Sequence, residues 1–183
     1  SRGDVGMGAV MGSACLPSLY RAVEIEREPY WDGGLMGNPP LCPFFHGSPS
    51  DDVVIVQINP VVRPGVPKTA QDIQNRLNEI TFNSSLLHEL RAIDFVARLL
   101  DAGKLEEGDY QRMRLHVVHA RKQMRALDAT SKLNAEWPFL EHLFEIGRQA
   151  AERWLARHYD DLGERSSVDI RRMFEGVGSL PHG

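Results

Sequence analysis

The stretch Tyr30-Trp31-Asp32-Gly33-Gly34-Leu35-Met36-Gly37-Asn38-Pro39-Pro40 sets one carboxylate at the end of an expected strand, ahead of two glycines and a Gly-Asn-Pro-Pro loop. Two glycines let the backbone turn sharply and leave nothing bulky beside the carboxylate. A carboxylate presented in this way can face a partner side chain across a pocket and accept its proton. The plainer role of an Asp-Gly pair is a turn closed by the aspartate side chain itself.

Other residues capable of chemistry form weaker patterns. A serine nucleophile usually relies on a histidine base, and the chain has seven: His46, His88, His116, His119, His142, His158 and His182. None lies in a motif that marks it as a base. His116 and His119 point to opposite faces of an expected strand, and His88, His142 and His158 read as surface or core-edge residues on helices. Cys42-x-x-x-His46 with the distant Cys15 gives a single metal-like spacing, whereas zinc takes three or four ligands. No metal is therefore expected. Ser13 lies in Gly-Ser-Ala-Cys and Ser84–Ser85 in Asn-Ser-Ser-Leu, and neither has the Gly-x-Ser-x-Gly turn that exposes a nucleophile. Arg112, Arg114, Arg121, Lys122 and Arg125 make 112–125 basic, which reads as a solvated face or as a contact for an anionic membrane surface.

The elements that must position these groups follow from periodicity. Residues 4–14 are small and apolar and predict a short helix ended by Leu16-Pro17. Val23–Ile25 and Pro29–Trp31 flank Glu26-Arg27-Glu28, a hairpin with a three-residue loop. Residues 37–50 are a proline-rich loop. The run 53–58 is apolar on both faces, which predicts a central, parallel strand covered by helices on each side. Thr69 opens a long helical region with apolar Ile73, Leu77, Ile80, Leu86, Leu90, Ile93, Ala97 and Leu100. Asn83-Ser84-Ser85 is expected to kink or split it, and Asp101-Ala102-Gly103 ends it. Residues 114–120 predict a second buried strand. A last long helix over 136–162 carries Leu140, Leu143, Phe144, Gly147, Ala151, Trp154, Leu155 and His158 on one face. Gly163 stops it, and a short helix near Ser167–Phe174 follows.

Composition is that of an ordinary globular chain: 183 residues, 42% hydrophobic, 25% charged, net charge −4. One domain is the expectation. The charge speaks against general nucleic-acid binding, and no apolar run approaches the ~20 residues of a membrane span. Two cysteines are no disulfide framework and fit a reducing, cytoplasmic setting.

Several of these motifs together resemble a known family. Gly12-Ser13-Ala14-Cys15-Leu16-Pro17, Ala22-Val23-Glu24-Ile25, Tyr30-Trp31-Asp32-Gly33-Gly34 and Gly37-Asn38-Pro39-Pro40 are similar to the second half of bacterial patatin-like phospholipases. The resemblance continues through 53–59, Asn83-Ser84-Ser85-Leu86-Leu87 and the C-terminal helices. It implies a three-layer α/β fold of the patatin type with a central, mainly parallel sheet. Residues 1–175 would be the C-terminal part of that domain and 176–183 a flexible tail. It further implies a lipid acyl hydrolase with a Ser–Asp dyad, Asp32 being the aspartate and Gly33, Gly34, Ser13 and Pro17 supporting the site. The family's glycine-rich oxyanion loop and Gly-x-Ser-x-Gly elbow are not in this sequence. The chain alone is therefore expected to be inactive, to pair with an N-terminal half or with itself, and to need no cofactor. The alternative expectations are a non-catalytic lipid-surface or protein-interaction module on the same scaffold, and an unrelated domain whose Asp-Gly-Gly is only a turn.

Overall fold

The computed structural model describes residues 6–17, 19–44, 48–62, 65–106, 110–127, 131 and 134–175. The expected tail, His46 and His182 lie outside them. The architecture is mixed α/β, with a small parallel sheet and helices. In chain order come α1 (Met7–Ser13), a hairpin of β1 (Val23–Ile25) and β2 (Glu28–Tyr30), then β3 (Asp52–Gln57) and α2 (Ala70–Asp101). After these follow β4 (Arg114–His119), the short α3 (Arg121–Arg125), the long α4 (Trp137–His158) and α5 (Ile170–Glu175).

The hairpin loop holds two residues, not three. Glu28 pairs with Ile25, and Glu26 and Arg27 take φ of 53° and 73°. A two-residue turn with both φ positive matches the right-handed twist of the flanking strands, which here outweighs the left-handed strain on two non-glycine residues. Helix α1 lies across the hairpin, close enough that a Cβ at Gly8 would stand 3.3 Å from Ile25.

β3 and β4 pair in parallel, Asp52 opposite Arg114 through Gln57 opposite His119, with α2 as the crossover. Val53 and Ile55 of β3 and Leu115 and Val117 of β4 bury against Leu86, Leu87, Leu90 and Ile93 of α2. Met173 and Phe174 of α5 close the same core. The second face of β4 meets α4 through Val118, Ile146 and Ala150.

β3 is not covered on both sides. Its outer face is open, with Val56 72% exposed and Val54 and Ile58 also exposed. α4 packs over β4. For the same reason the stripe of α4 that buries is Ile146 and Ala150, narrower than the apolar set the sequence offers. Phe144 is 71% exposed, and Leu140 and Leu155 are exposed too.

α2 runs unbroken for 32 residues behind a Thr69 cap, whose hydroxyl accepts the Asp72 N–H while the Asp72 carboxylate accepts the Thr69 N–H. Asn83-Ser84-Ser85 does not split it. The Asn83 and Ser84 side chains bond carbonyls of the preceding turn or of a neighbouring loop. The Asn83 amide donates to the Pro60 and Glu79 carbonyls (3.1 and 2.9 Å), and Ser84 Oγ donates to the Thr81 carbonyl.

Candidate functional site

Asp32 follows β2 and is half-buried. Its N–H donates to the Cys15 carbonyl at 2.9 Å, which ties the strand exit to the turn after α1. Its Oδ1 accepts the Gly34 N–H at 2.8 Å and caps the 3-10 turn Gly33–Leu35. The turn role is therefore real, and it occupies one carboxylate oxygen. Among the described residues no basic side chain pairs with Asp32, and Oδ2 has no partner. The backbone thus fixes the carboxylate while one oxygen stays available to a donor.

The two glycines differ in what they do. Neither takes a positive φ. Gly34 is demanded by space: a Cβ there would stand 3.1 Å from Asp32 Oδ1 and 3.2 Å from Phe82 Cε1, closer than side chains ordinarily approach. A Cβ at Gly33 would meet nothing within 4 Å. Ser13 spends its hydroxyl on the Val10 carbonyl (2.8 Å), and Pro17 is exposed. The turn that carries them reaches Asp32 through the backbone of Cys15. Cys15 is buried and its thiol donates to the Arg21 carbonyl.

The loop beyond Asp32 is strapped to α2. The Asn38 N–H donates to Ser85 Oγ at 3.1 Å, and the N–H groups of Leu41 and Cys42 both donate to the Glu89 carboxylate. Leu41 is thereby drawn into the core, 1% exposed. Large apolar side chains flank the carboxylate at the surface: Trp31, Leu35 and Met36, the last 88% exposed.

A second polar cluster joins residues that lie far apart in sequence. His116 is 0% exposed, and its Nε2 meets Asp52 Oδ1 at 2.9 Å. Arg114 grips Asp52 Oδ2 through Nε and an Nη, both at 3.1 Å, and the Gly163 N–H donates to Oδ1. Burial raises the Asp52 pKa, but the bonds from Arg114, Gly163 and His116 outweigh it and bring it down to about 2. This cluster was invisible in the sequence because its partners are 62 to 64 residues apart. The imidazole is sealed from solvent, and the Asp52 carboxylate, 15% exposed, has both oxygens engaged. The cluster clamps the first residues of β3 to β4.

The expected basic stretch 112–125 is not one free patch. Arg112 pairs with Asp101, and Arg114 with Asp51 and Asp52. Arg125 donates to the Val62 carbonyl. Among the described residues no group of three His, Cys, Asp or Glu side chains is placed to hold a metal ion, and no helix is long and apolar enough to cross a membrane.

Set against protein-family models, curated proteins and solved structures, the chain matches none.

Proposed function

We propose that this chain supplies the base of a lipid acyl hydrolase of the patatin type, as the C-terminal part of a three-layer α/β domain. The observation that carries the reading is the state of Asp32. Two backbone bonds fix its position, and one carboxylate oxygen is left without a partner among the described residues. The flanking Trp31, Leu35 and Met36 offer apolar surface for an acyl chain.

In this reading a serine from an N-terminal half approaches Asp32 Oδ2. The carboxylate takes the hydroxyl proton as Oγ attacks the ester carbonyl. Backbone N–H groups of a glycine-rich loop in that half hold the oxyanion. The proton then passes to the departing alcohol, leaving an acyl-serine. Water, deprotonated by the same carboxylate, releases the fatty acid and restores the serine. No histidine takes part, in keeping with the burial of His116 and the separate engagement of His158 with Asp161.

The test is ester hydrolysis with a fluorogenic acyl substrate. The chain alone should give background turnover, and the chain joined to an N-terminal half bearing the elbow should be active. A non-catalytic lipid-surface module is the second reading, favoured by the same exposed apolar residues around Asp32. It predicts vesicle binding that Asp32→Asn leaves intact and no turnover in either form.

A further inference from the structure

A cleft of about 220 Å³ opens between the C-terminal half of α4, the end of β4 and residues 167–168. Among the described residues its polar lining consists of Arg153, Arg157, His158, His119, Trp154 and Ser167, with no carboxylate. Among the described residues neither Arg153 nor Arg157 has an acidic partner. Two further groups are buried without any partner: the indole Nε1 of Trp154 and the hydroxyl of Ser167. Both atoms are too deeply buried for a ligand to reach, so the cations the cleft offers a ligand are Arg153 and Arg157.

The surrounding structure holds these groups in place. The Trp154 ring sits edge-on to His116 at 5.7 Å and tilts against His158 at 5.8 Å. His158 Nδ1 is engaged by Asp161 Oδ2 at 2.8 Å, which leaves Nε2 unengaged. The Ser167 N–H donates to the Leu115 carbonyl, and Ser166 Oγ accepts the Leu115 N–H, so this segment is fastened along β4. An adjoining cavity of about 390 Å³ shares His119 and Val168 with the cleft. Among the described residues it carries Arg121, Arg125 and Arg172 against one carboxylate, Asp169, which already meets Arg172 at 3.2 Å.

We infer that this cleft binds a phosphate group, in particular a phosphomonoester dianion whose organic part extends into the adjoining cavity. Guanidinium forks pair with phosphate oxygens bidentately. A tetrahedral anion can take paired bonds from the guanidinium groups of Arg153 and Arg157, which line the cleft. The cleft is smaller than the pockets that enclose drug-sized ligands, as suits a single charged group. The site is independent of the hydrolase reading, because no residue of the 32–42 loop lines it.

The test is calorimetric titration of the 183-residue chain with inorganic phosphate and with glycerol 3-phosphate. It is paired with sedimentation of phosphatidylcholine vesicles with and without phosphatidic acid. Saturable binding is expected, weakened roughly tenfold or more by Arg153→Gln and by Arg157→Gln. Arg153 and Arg157 are exposed, so these variants should melt like the parent. Binding of the soluble ions would identify a free phosphate ester as the source. Binding of phosphatidic acid vesicles alone would identify a lipid headgroup. Either supports the inference. No saturable binding of any of these probes, or affinity unchanged in both arginine variants, overturns it.

Discussion

At the scale of single residues, two aspartates with contrasting surroundings do different work. Asp32 keeps an oxygen unengaged, whereas Asp52 has both oxygens engaged by Arg114, His116 and Gly163. The folded-state pKa of Asp52, about 2, lies below its ordinary value of 3.8. Its contribution, on the order of 2 kcal/mol, is therefore complete above about pH 5 and is lost as pH falls toward 2. Asp52→Asn should lower stability by roughly that amount at neutral pH, and should flatten the decline of stability below about pH 4. Urea unfolding over a pH series measures both effects. Gly34→Ala makes a different demand, because its methyl must displace either the Asp32 carboxylate or Phe82. If Asp32 is the base of the proposed hydrolase, this should cut turnover of the joined chain about tenfold or more with only a small change in melting temperature, a misplaced base being costlier than a repacked surface ring. Gly33→Ala, with open space around its Cβ, is the matched control and should leave turnover close to the parent's.

Among the elements, α2 covers the buried face of the β3–β4 pair, and its two halves differ. From Leu86 to Leu100 it is packed into the core, while Ile73, Leu77 and Ile80 are exposed. Leu90→Ala, at a position 0% exposed, should cost about 2–5 kcal/mol and weaken the whole fold. Thr69→Ala removes half of a capping box and should cost about 1 kcal/mol. That loss should appear as faster amide hydrogen exchange in the first turns of α2, with little change around Leu86–Ile93. The sequence made much of this layer legible. The ends of α2 and the two paired strands follow from periodicity and caps, whereas the last long helix ends at His158 and passes into a 3-10 turn, Tyr159–Asp161, before Gly163, which takes φ +81°. Which faces are covered was not legible. The continuous apolar run 53–58 and the wide apolar stripe of α4 report what a segment is able to bury, not what a neighbour reaches. At the candidate site the sequence pointed to Asp32 and its glycines. It missed the Asp52–Arg114–His116 clamp and the contact of Cys15 with Asp32, because both depend on pairings between distant segments.

Over the whole molecule, apolar surface remains open on β3, on the start of α2 and on α4. The outer face of β3, with Val54, Val56 and Ile58, is the most continuous of these on the sheet. Exposed strands of this kind invite pairing and association. The isolated chain should accordingly self-associate, and Val56→Lys should shift light-scattering mass toward the monomer without lowering the melting temperature. A sharp, cooperatively melting monomer in the parent chain would show that these faces need no partner and that 183 residues form a complete core. The proposal that Asp32 is a catalytic base meets its most direct test in one rate. That rate is hydrolysis of a fluorogenic acyl ester by the chain joined to an elbow-bearing N-terminal half, measured before and after Asp32→Asn. An amide cannot accept the serine proton, yet it keeps the volume of the carboxylate and the bond to the Gly34 N–H. Turnover should fall about a thousandfold while stability stays nearly constant. Turnover held within about tenfold of the parent would contradict the account, since a base removed from a dyad cannot cost so little.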